Sequence, residues 1–226
     1  DGKGGVQSYD GRETAPAAAD GTWFYVDGKP LSVPQAIPGG RSVGVPGNIR
    51  LMAEAHRAHG KLPWSALFQP AIRLARDGFT VTPRLTAFLT RFKASAALTE
   101  AGRAIYYQPD GSPLPAGTTL KNPELAAFLE QVAAQGPDAF YTGANAQKIV
   151  DAVTLTPRNP APMTNADITG YKVKERAPVC TFYRAHKVCG MGPPSSGATT
   201  VQGVLGMLER FDLKTLGKDD PRSWHL

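Results

Sequence analysis

The sequence predicts an α+β fold in which a helical middle, roughly residues 46–153, is flanked by extended segments within 1–45 and 170–192. Three observations lead there. Between 46 and 153 apolar residues recur at three- and four-residue spacing, the period of a helix face. Towards both ends short runs alternate instead, the period of a half-buried strand. Between the two regimes lies Leu155-Thr156-Pro157-Arg158-Asn159-Pro160-Ala161-Pro162-Met163, too rich in proline for regular structure and read as a linker.

The elements follow in chain order. Val6 to Tyr9 is a short alternating stretch that runs into the charged turn Asp10-Gly11-Arg12-Glu13-Thr14-Ala15-Pro16. Thr22 to Gly28 is extended and ends in a turn, and Pro34 to Gly40 reads as loop. Asn48 to His59 places Ile49, Leu51, Met52 and Ala55 at helical spacing and stops at Gly60. Trp64 to Arg76 repeats the pattern through Leu67, Phe68, Ala71, Ile72 and Ala75, with Gly78 as its stop. Thr82-Pro83 and Asn122-Pro123 each join a capping side chain to a proline at the first helical position. The first opens a helix bearing Leu85, Phe88, Leu89 and Phe92; the second opens one bearing Leu125, Phe128, Leu129 and Val132, ending at Gly136. Gly143 to Val153 is a further helix. Beyond the linker, Tyr171 to Cys180 and His186 to Met191 are extended, and Thr199 to Phe211 carries Val201, Val204, Leu205 and Leu208 on a helical face.

Composition excludes several classes. At 42% hydrophobic and 19% charged residues, the chain has the makings of a core and is not a disordered segment. The net charge of +6 comes from single, scattered Lys and Arg residues without interleaved aromatics, so no nucleic-acid partner is expected. No apolar stretch reaches the length of a membrane span. Asp1-Gly2-Lys3-Gly4-Gly5 is hairpin-turn chemistry with no preceding strand, and Asp220-Pro221 opens a helix with about one turn left to run. Both ends read as cuts, so 1–226 is expected to be one domain, incomplete at each end.

Candidate chemistry is sparse. His56 and His59 are three apart on a helix, but no acidic or thiol ligand follows at metal-site spacing, so no metal is expected. They read as last-turn histidines favoured by the helix dipole. Ser195-Ser196 follows a double proline without a nucleophile elbow or an assignable base, and reads as capping the next helix. In Cys180-Thr181-Phe182-Tyr183-Arg184-Ala185-His186-Lys187-Val188-Cys189, a two-residue turn at Arg184-Ala185 pairs 183 with 186 and, by alternation, 180 with 189. That last pair falls on a non-hydrogen-bonded position, the closer type, where a cross-strand disulfide fits; a turn one residue longer breaks this register, and two free thiols are the alternative. Arg12, between a strand end and a rigid turn, either pairs with Asp10 or Glu13 at the surface or presents its guanidinium fork to a carboxylate.

The Asp10–Pro16 motif and Met191-Gly192-Pro193-Pro194-Ser195-Ser196-Gly197 together resemble the large subunit of γ-glutamyltranspeptidases. Val43-Gly44-Val45-Pro46-Gly47, His56 to Trp64, Pro70 to Phe79, Phe140-Tyr141-Thr142-Gly143 and Tyr171-Lys172-Val173 occur in that family's order, so the resemblance covers almost the whole chain. It implies an αββα N-terminal-nucleophile hydrolase sandwich shared by two subunits cut from one precursor. It also implies attack on γ-glutamyl amides such as glutathione through a threonine acyl-enzyme, a periplasmic or secreted location that suits a Cys180–Cys189 bridge, and no cofactor. Arg12 matches the arginine that binds the substrate α-carboxylate. An acylase acting on glutaryl side chains is the alternative within the family, and a non-catalytic scaffold is the alternative outside it.

This chain departs from the family's pattern in three places. Ala198 replaces a second glycine. The glycine-rich segment that normally precedes Asp10 is absent. Thr199-Thr200 is followed by Val201, where the family nucleophile is an N-terminal threonine usually followed by Thr-His. That threonine is expected on a small-subunit partner, so this stretch alone is expected to bind substrate without turning it over.

Overall fold

A computed structural model describes residues 4–226; Asp1–Lys3, and with them most of the turn expected at the start of the chain, lie outside the described residues. The fold is mixed α and β, as expected, and divides into two compact units. One comprises the chain up to Arg12 together with Val173–Leu226; the other is Glu13–Lys172.

In the larger unit the boundaries of the helices are set locally. The helix Asn48–His59 ends at Gly60, whose ordinary φ of −63° shows that the stop needs no left-handed residue. Trp64–Asp77 does end on one: Gly78 has φ 94°, and a Cβ there would lie 2.5 Å from Thr119 Cγ2 and 2.8 Å from Leu120 O. The chain turns at once into the two-residue ladder Phe79–Thr80 with Thr119–Leu120. Thr82 and Asn122 cap the helices Pro83–Arg91 and Pro123–Gln135 by accepting from the amides of Leu85 and Leu125. Each proline stands where a missing N–H costs nothing.

The core of this unit forms where Trp64–Asp77 packs on Pro123–Gln135. Phe68 and Ile72 from one helix meet Val132 and Ala133 from the other, with Ile49, Phe128 and Leu129 around them. Trp64 closes the edge, its indole N–H donating to Val132 O at 2.9 Å and its ring edge-on to Phe68 at 4.7 Å. A second anchor is Tyr141, fully buried, whose hydroxyl donates to Pro46 O at 2.9 Å and accepts from the Arg50 amide at 3.2 Å. Tyr141 thereby ties two of the sequence motifs, Val43–Gly47 and Phe140–Gly143, to each other.

Three expectations are corrected here. Pro34 to Gly40 is not all loop: Val33–Ala36 is one helical turn, held by a reciprocal cap between Ser32 and Gln35, and Gly40–Ser42 is a 3₁₀ turn. Short helices at Lys93–Ala96, Glu100–Tyr106, Asp138–Tyr141 and Asn165–Thr169 were not foreseen. Residues 155–163 lack regular structure as expected, yet they are a packed strap and not a linker. Ala161 and Met163 are buried, and the Asn159 amide donates to Gln35 O and Pro38 O at 2.8 and 3.0 Å. Gly39, at φ 119°, passes so close that a Cβ would lie 2.0 Å from Arg158 O.

In the smaller unit Ser8–Asp10 pairs antiparallel with Lys174–Arg176, in the register Ser8↔Arg176, Tyr9↔Glu175, Asp10↔Lys174. The strand begins two residues later than Val6, which is exposed, because the partner strand and not local alternation sets its extent. Val179–Tyr183 and His186–Gly190 form a hairpin in the expected register, turning at Arg184 with φ 53°. Glu209 accepts from the Arg184 amide at 3.0 Å and so satisfies the turn. The helix Gly197–Leu208 lies against this hairpin: the Gln202 amide donates to Val179 O at 2.8 Å. Ala198 Cβ would lie 2.9 Å from a Cβ on Gly190, so a side chain at 190 would push the helix away. Among the described residues the strands form four two-stranded ladders.

The core contact gives a direct test. Ile72→Ala is expected to cost about 2–5 kcal/mol in urea unfolding, since it empties a close-packed site. Leu74→Ala, on the exposed side of the same helix, is expected to cost under about 1 kcal/mol. Equal losses would place the core elsewhere.

Candidate functional site

The site is assembled around the end of the Ser8–Asp10 strand. Ser8 and Asp10, two apart, share a strand face, and both are buried at 8% and 7% exposure. A buried carboxylate is costly unless each oxygen finds a donor. Asp10 finds two: Oδ1 accepts the Arg12 amide at 3.0 Å, and Oδ2 accepts Nε of Arg176 at 2.7 Å. The Arg12 amide, then the Arg176 guanidinium, hold the Asp10 carboxyl below its ordinary pKa against the opposing effect of burial, with Lys174 adding a smaller Coulombic contribution. Asp10 is therefore an anion here, with Arg176 as its ion-pair partner.

Arg12 itself is exposed. Its Nη1 points to Pro194 O at 3.5 Å, the long limit of a hydrogen bond. This contact brings together the two motifs that lie far apart in the chain, since Pro194 stands in Gly192-Pro193-Pro194-Ser195-Ser196. Gly192 is small for a reason: a Cβ there would lie 2.7 Å from Val179 Cγ2 on the hairpin. A planar guanidinium beside a backbone carbonyl, on a strand end held by a charged pair, is suited to gripping an external carboxylate. It offers no nucleophile and no general base.

The remaining candidates fall into place around this. Cys180 and Cys189 are ladder partners with Cα atoms 4.1 Å apart and are joined as a disulfide. Ser196 occupies the N-cap position of the Gly197–Leu208 helix but its side chain makes no capping bond; Ser195 Oγ accepts the Gly197 amide instead, at 3.3 Å. The expected capping role thus falls to one serine only. Thr199 lies in the first turn and donates to Ser196 O at 3.0 Å, as a helical threonine does. In the larger unit, His56 Nε2 is bonded to Leu62 O at 2.8 Å and its ring lies edge-on to Trp64, a packing role. Among the described residues no three His, Cys, Asp or Glu side chains cluster to hold a metal ion, and no helix is long and apolar enough to cross a membrane. The sequence gives no signal for Arg176 as the partner of Asp10, and the bond from the Arg12 amide to Asp10 Oδ1 goes beyond the surface pairing with Asp10 or Glu13 that the sequence offers. An Asp two residues before the residue whose amide it accepts is an Asx-turn pattern that was there to be read.

A family model described as Gamma-glutamyltranspeptidase matches residues 1–226. Glutathione hydrolase 3 of Arabidopsis thaliana is 37% identical over 206 residues, 91% of this chain and 31% of that protein. The acylase ACY 1 proenzyme of Pseudomonas sp. (strain SE83) is 34% identical over 192 residues, 85% of this chain and 34% of that protein. The chain therefore spans about a third of the length of these curated relatives. The crystal structure of Helicobacter pylori gamma-glutamyltranspeptidase superposes with a TM-score of 0.90 at 27% identity, covering 99% of this chain and 63% of that one.

Two outcomes are expected from the geometry. A carboxylate whose pKa is depressed on folding stabilises above its unfolded pKa, near 3.9, and loses that contribution as pH falls through the lower folded value. Asp10→Asn should accordingly flatten the acid limb of stability against pH below about pH 4, read by thermal unfolding; an unaltered limb would mean the pair contributes nothing. Separately, non-reducing peptide mapping of protein made under oxidising conditions should recover a Cys180–Cys189 linked peptide. Two freely alkylatable thiols in the folded, oxidised protein would reject the bridge.

Proposed function

The chain belongs to the gamma-glutamyltranspeptidase family, and from that membership we propose that it is the large-subunit portion of a γ-glutamyltransferase or glutathione hydrolase. In this reading the αββα sandwich is completed by a small subunit released from the same precursor, which supplies the N-terminal threonine. That threonine attacks the γ-glutamyl amide of glutathione or a related donor, and its own α-amino group serves as base. The acyl-enzyme then passes to water or to an acceptor amine. No cofactor takes part. The proposed setting is periplasmic or extracellular, where a cross-strand disulfide persists.

The residues of this chain bind and orient. Arg12 grips the donor α-carboxylate and so fixes where the γ-carbonyl lies relative to the threonine. The observation that carries the reading is the meeting of the two family motifs at Arg12 and Pro194, on a strand end secured by Asp10 and Arg176. A glutaryl acylase is the second reading. It is favoured by the likeness to the acylase proenzyme, and a carboxylate clamp serves a glutaryl group equally well.

The full-length, matured protein separates these readings: it is expected to hydrolyse γ-glutamyl-p-nitroanilide in preference to glutaryl-p-nitroanilide, and the reverse order would favour the acylase. Arg12→Ala should lower donor kcat/KM by orders of magnitude, because a charged, bidentate contact is lost and the donor's charge is left unpaired. Arg12→Lys keeps the charge without the planar fork and should fall between. Precursor cleavage should survive both changes. A loss of kcat/KM below about threefold in Arg12→Ala, which is under ~0.7 kcal/mol, would remove Arg12 from the donor site.

A further inference from the structure

We propose that Asp10 and Arg176 are positioning residues for Arg12, and that together they set how strongly the protein discriminates in favour of donors bearing an α-carboxylate. The inference rests on the reading of Arg12 as the donor clamp and extends it to two residues that do not touch substrate.

The geometry argues for more than strand pairing. Antiparallel partners put their side chains on one face, so Arg176, opposite Ser8, lies diagonally across from Asp10 on the same face. Lys174 is directly opposite Asp10, yet the bonded partner is Arg176, at 2.7 Å. The Arg176 side chain is 41% exposed and has water available, whereas the Asp10 side chain is 9% exposed. The pair is therefore asymmetric: Asp10 needs Arg176 more than the reverse. Once held, Asp10 uses its other oxygen on the Arg12 amide, closing an Asx turn over the buried Gly11. The backbone of Arg12 is thus fixed at one end by Asp10, and its guanidinium is directed at the other end by Pro194 O. A guanidinium must hold both angle and distance to meet a carboxylate with two parallel bonds. Loosening the turn tilts the fork without removing its charge. A depressed carboxyl pKa supports this role, because Asp10 stays ionised across the neutral range.

Donors that differ only in the α-carboxylate isolate this effect. The probes are γ-glutamyl-p-nitroanilide and 4-aminobutyryl-p-nitroanilide, the same acyl group without its carboxylate. The quantity measured is the ratio of their kcat/KM values on the full-length, matured protein. A misplacement of the clamp should lower the ratio roughly tenfold or more in Asp10→Ala and in Arg176→Gln, mainly through KM for the γ-glutamyl donor. Asp10→Asn, which can still accept the Arg12 amide, and Arg176→Lys should recover part of the loss. In an Arg12→Ala background the Arg176→Gln change should lower the ratio no further, because the element it positions is gone. Arg176 is partly exposed, so its variants serve even if Asp10→Ala fails to fold.

Three outcomes overturn the proposal. The ratio could stay within about twofold of wild type in Arg176→Gln while Arg12→Ala collapses it; positioning is then wrong and the clamp stands. Both donors could fall together, leaving the ratio unmoved, which marks a purely structural pair. If Arg12→Ala itself leaves the ratio intact, the clamp reading fails and the positioning role goes with it.

Discussion

The smaller unit depends on the solvation of one carboxylate. Asp10 is turned inward on a strand of three residues, and nothing about such a short strand would hold it in place by pairing alone. What holds it is the requirement that a buried anion be fully bonded. Satisfying Asp10 recruits Arg176 from a strand 166 residues further on and the amide of Arg12 next to it. One electrostatic constraint thereby sets the strand register, the turn that follows and the starting direction of the Arg12 side chain. The hairpin and the Gly197–Leu208 helix then need only supply the carbonyl of Pro194. They do so through small residues: Gly190 leaves room for the Ala198 methyl, and Gly192 for the Val179 side chain.

Much of the fold was legible because its signals are local. Thr82-Pro83, Asn122-Pro123 and Asp220-Pro221 each combine a capping side chain with a proline that suits a first turn, and each opens a helix at the residue expected. The hairpin register followed from the period of two once the turn was placed at Arg184-Ala185. What escaped was short or non-local. Val33–Ala36 rests on a reciprocal cap between Ser32 and Gln35, a pattern too brief to show as periodicity. The strap at 155–163 looked like a linker because proline content reports the absence of hydrogen-bonded structure, and it says nothing of burial. Its order comes from Asn159, which reaches carbonyls more than a hundred residues earlier.

The site was legible only at its point of contact. Arg12 stood out through its charge and its turn, and the Gly192–Ser196 segment through its prolines. Arg176 did not stand out at all, since in Lys172-Val173-Lys174-Glu175-Arg176 it is one cation among three. Which of them meets Asp10 is decided by register, and register between strands so far apart leaves no local trace. The alternation rule misled at Val6 for the same reason. It expects an apolar inward face, and this strand turns Ser8 and Asp10 inward.

That polar inward face has a consequence for synthesis. At about 5–20 residues per second, roughly 10–30 s pass between the emergence of Asp10 and that of Arg176. Throughout that interval the segment that becomes the Ser8–Asp10 strand lacks its partner, and open strand edges are templates for pairing with other chains. An apolar face would make the wait hazardous. A carboxylate there resists burial against anything that lacks a matching cation, at a cost of several kcal/mol. The anion that later fixes the register also keeps the nascent strand unclaimed until the right arginine arrives.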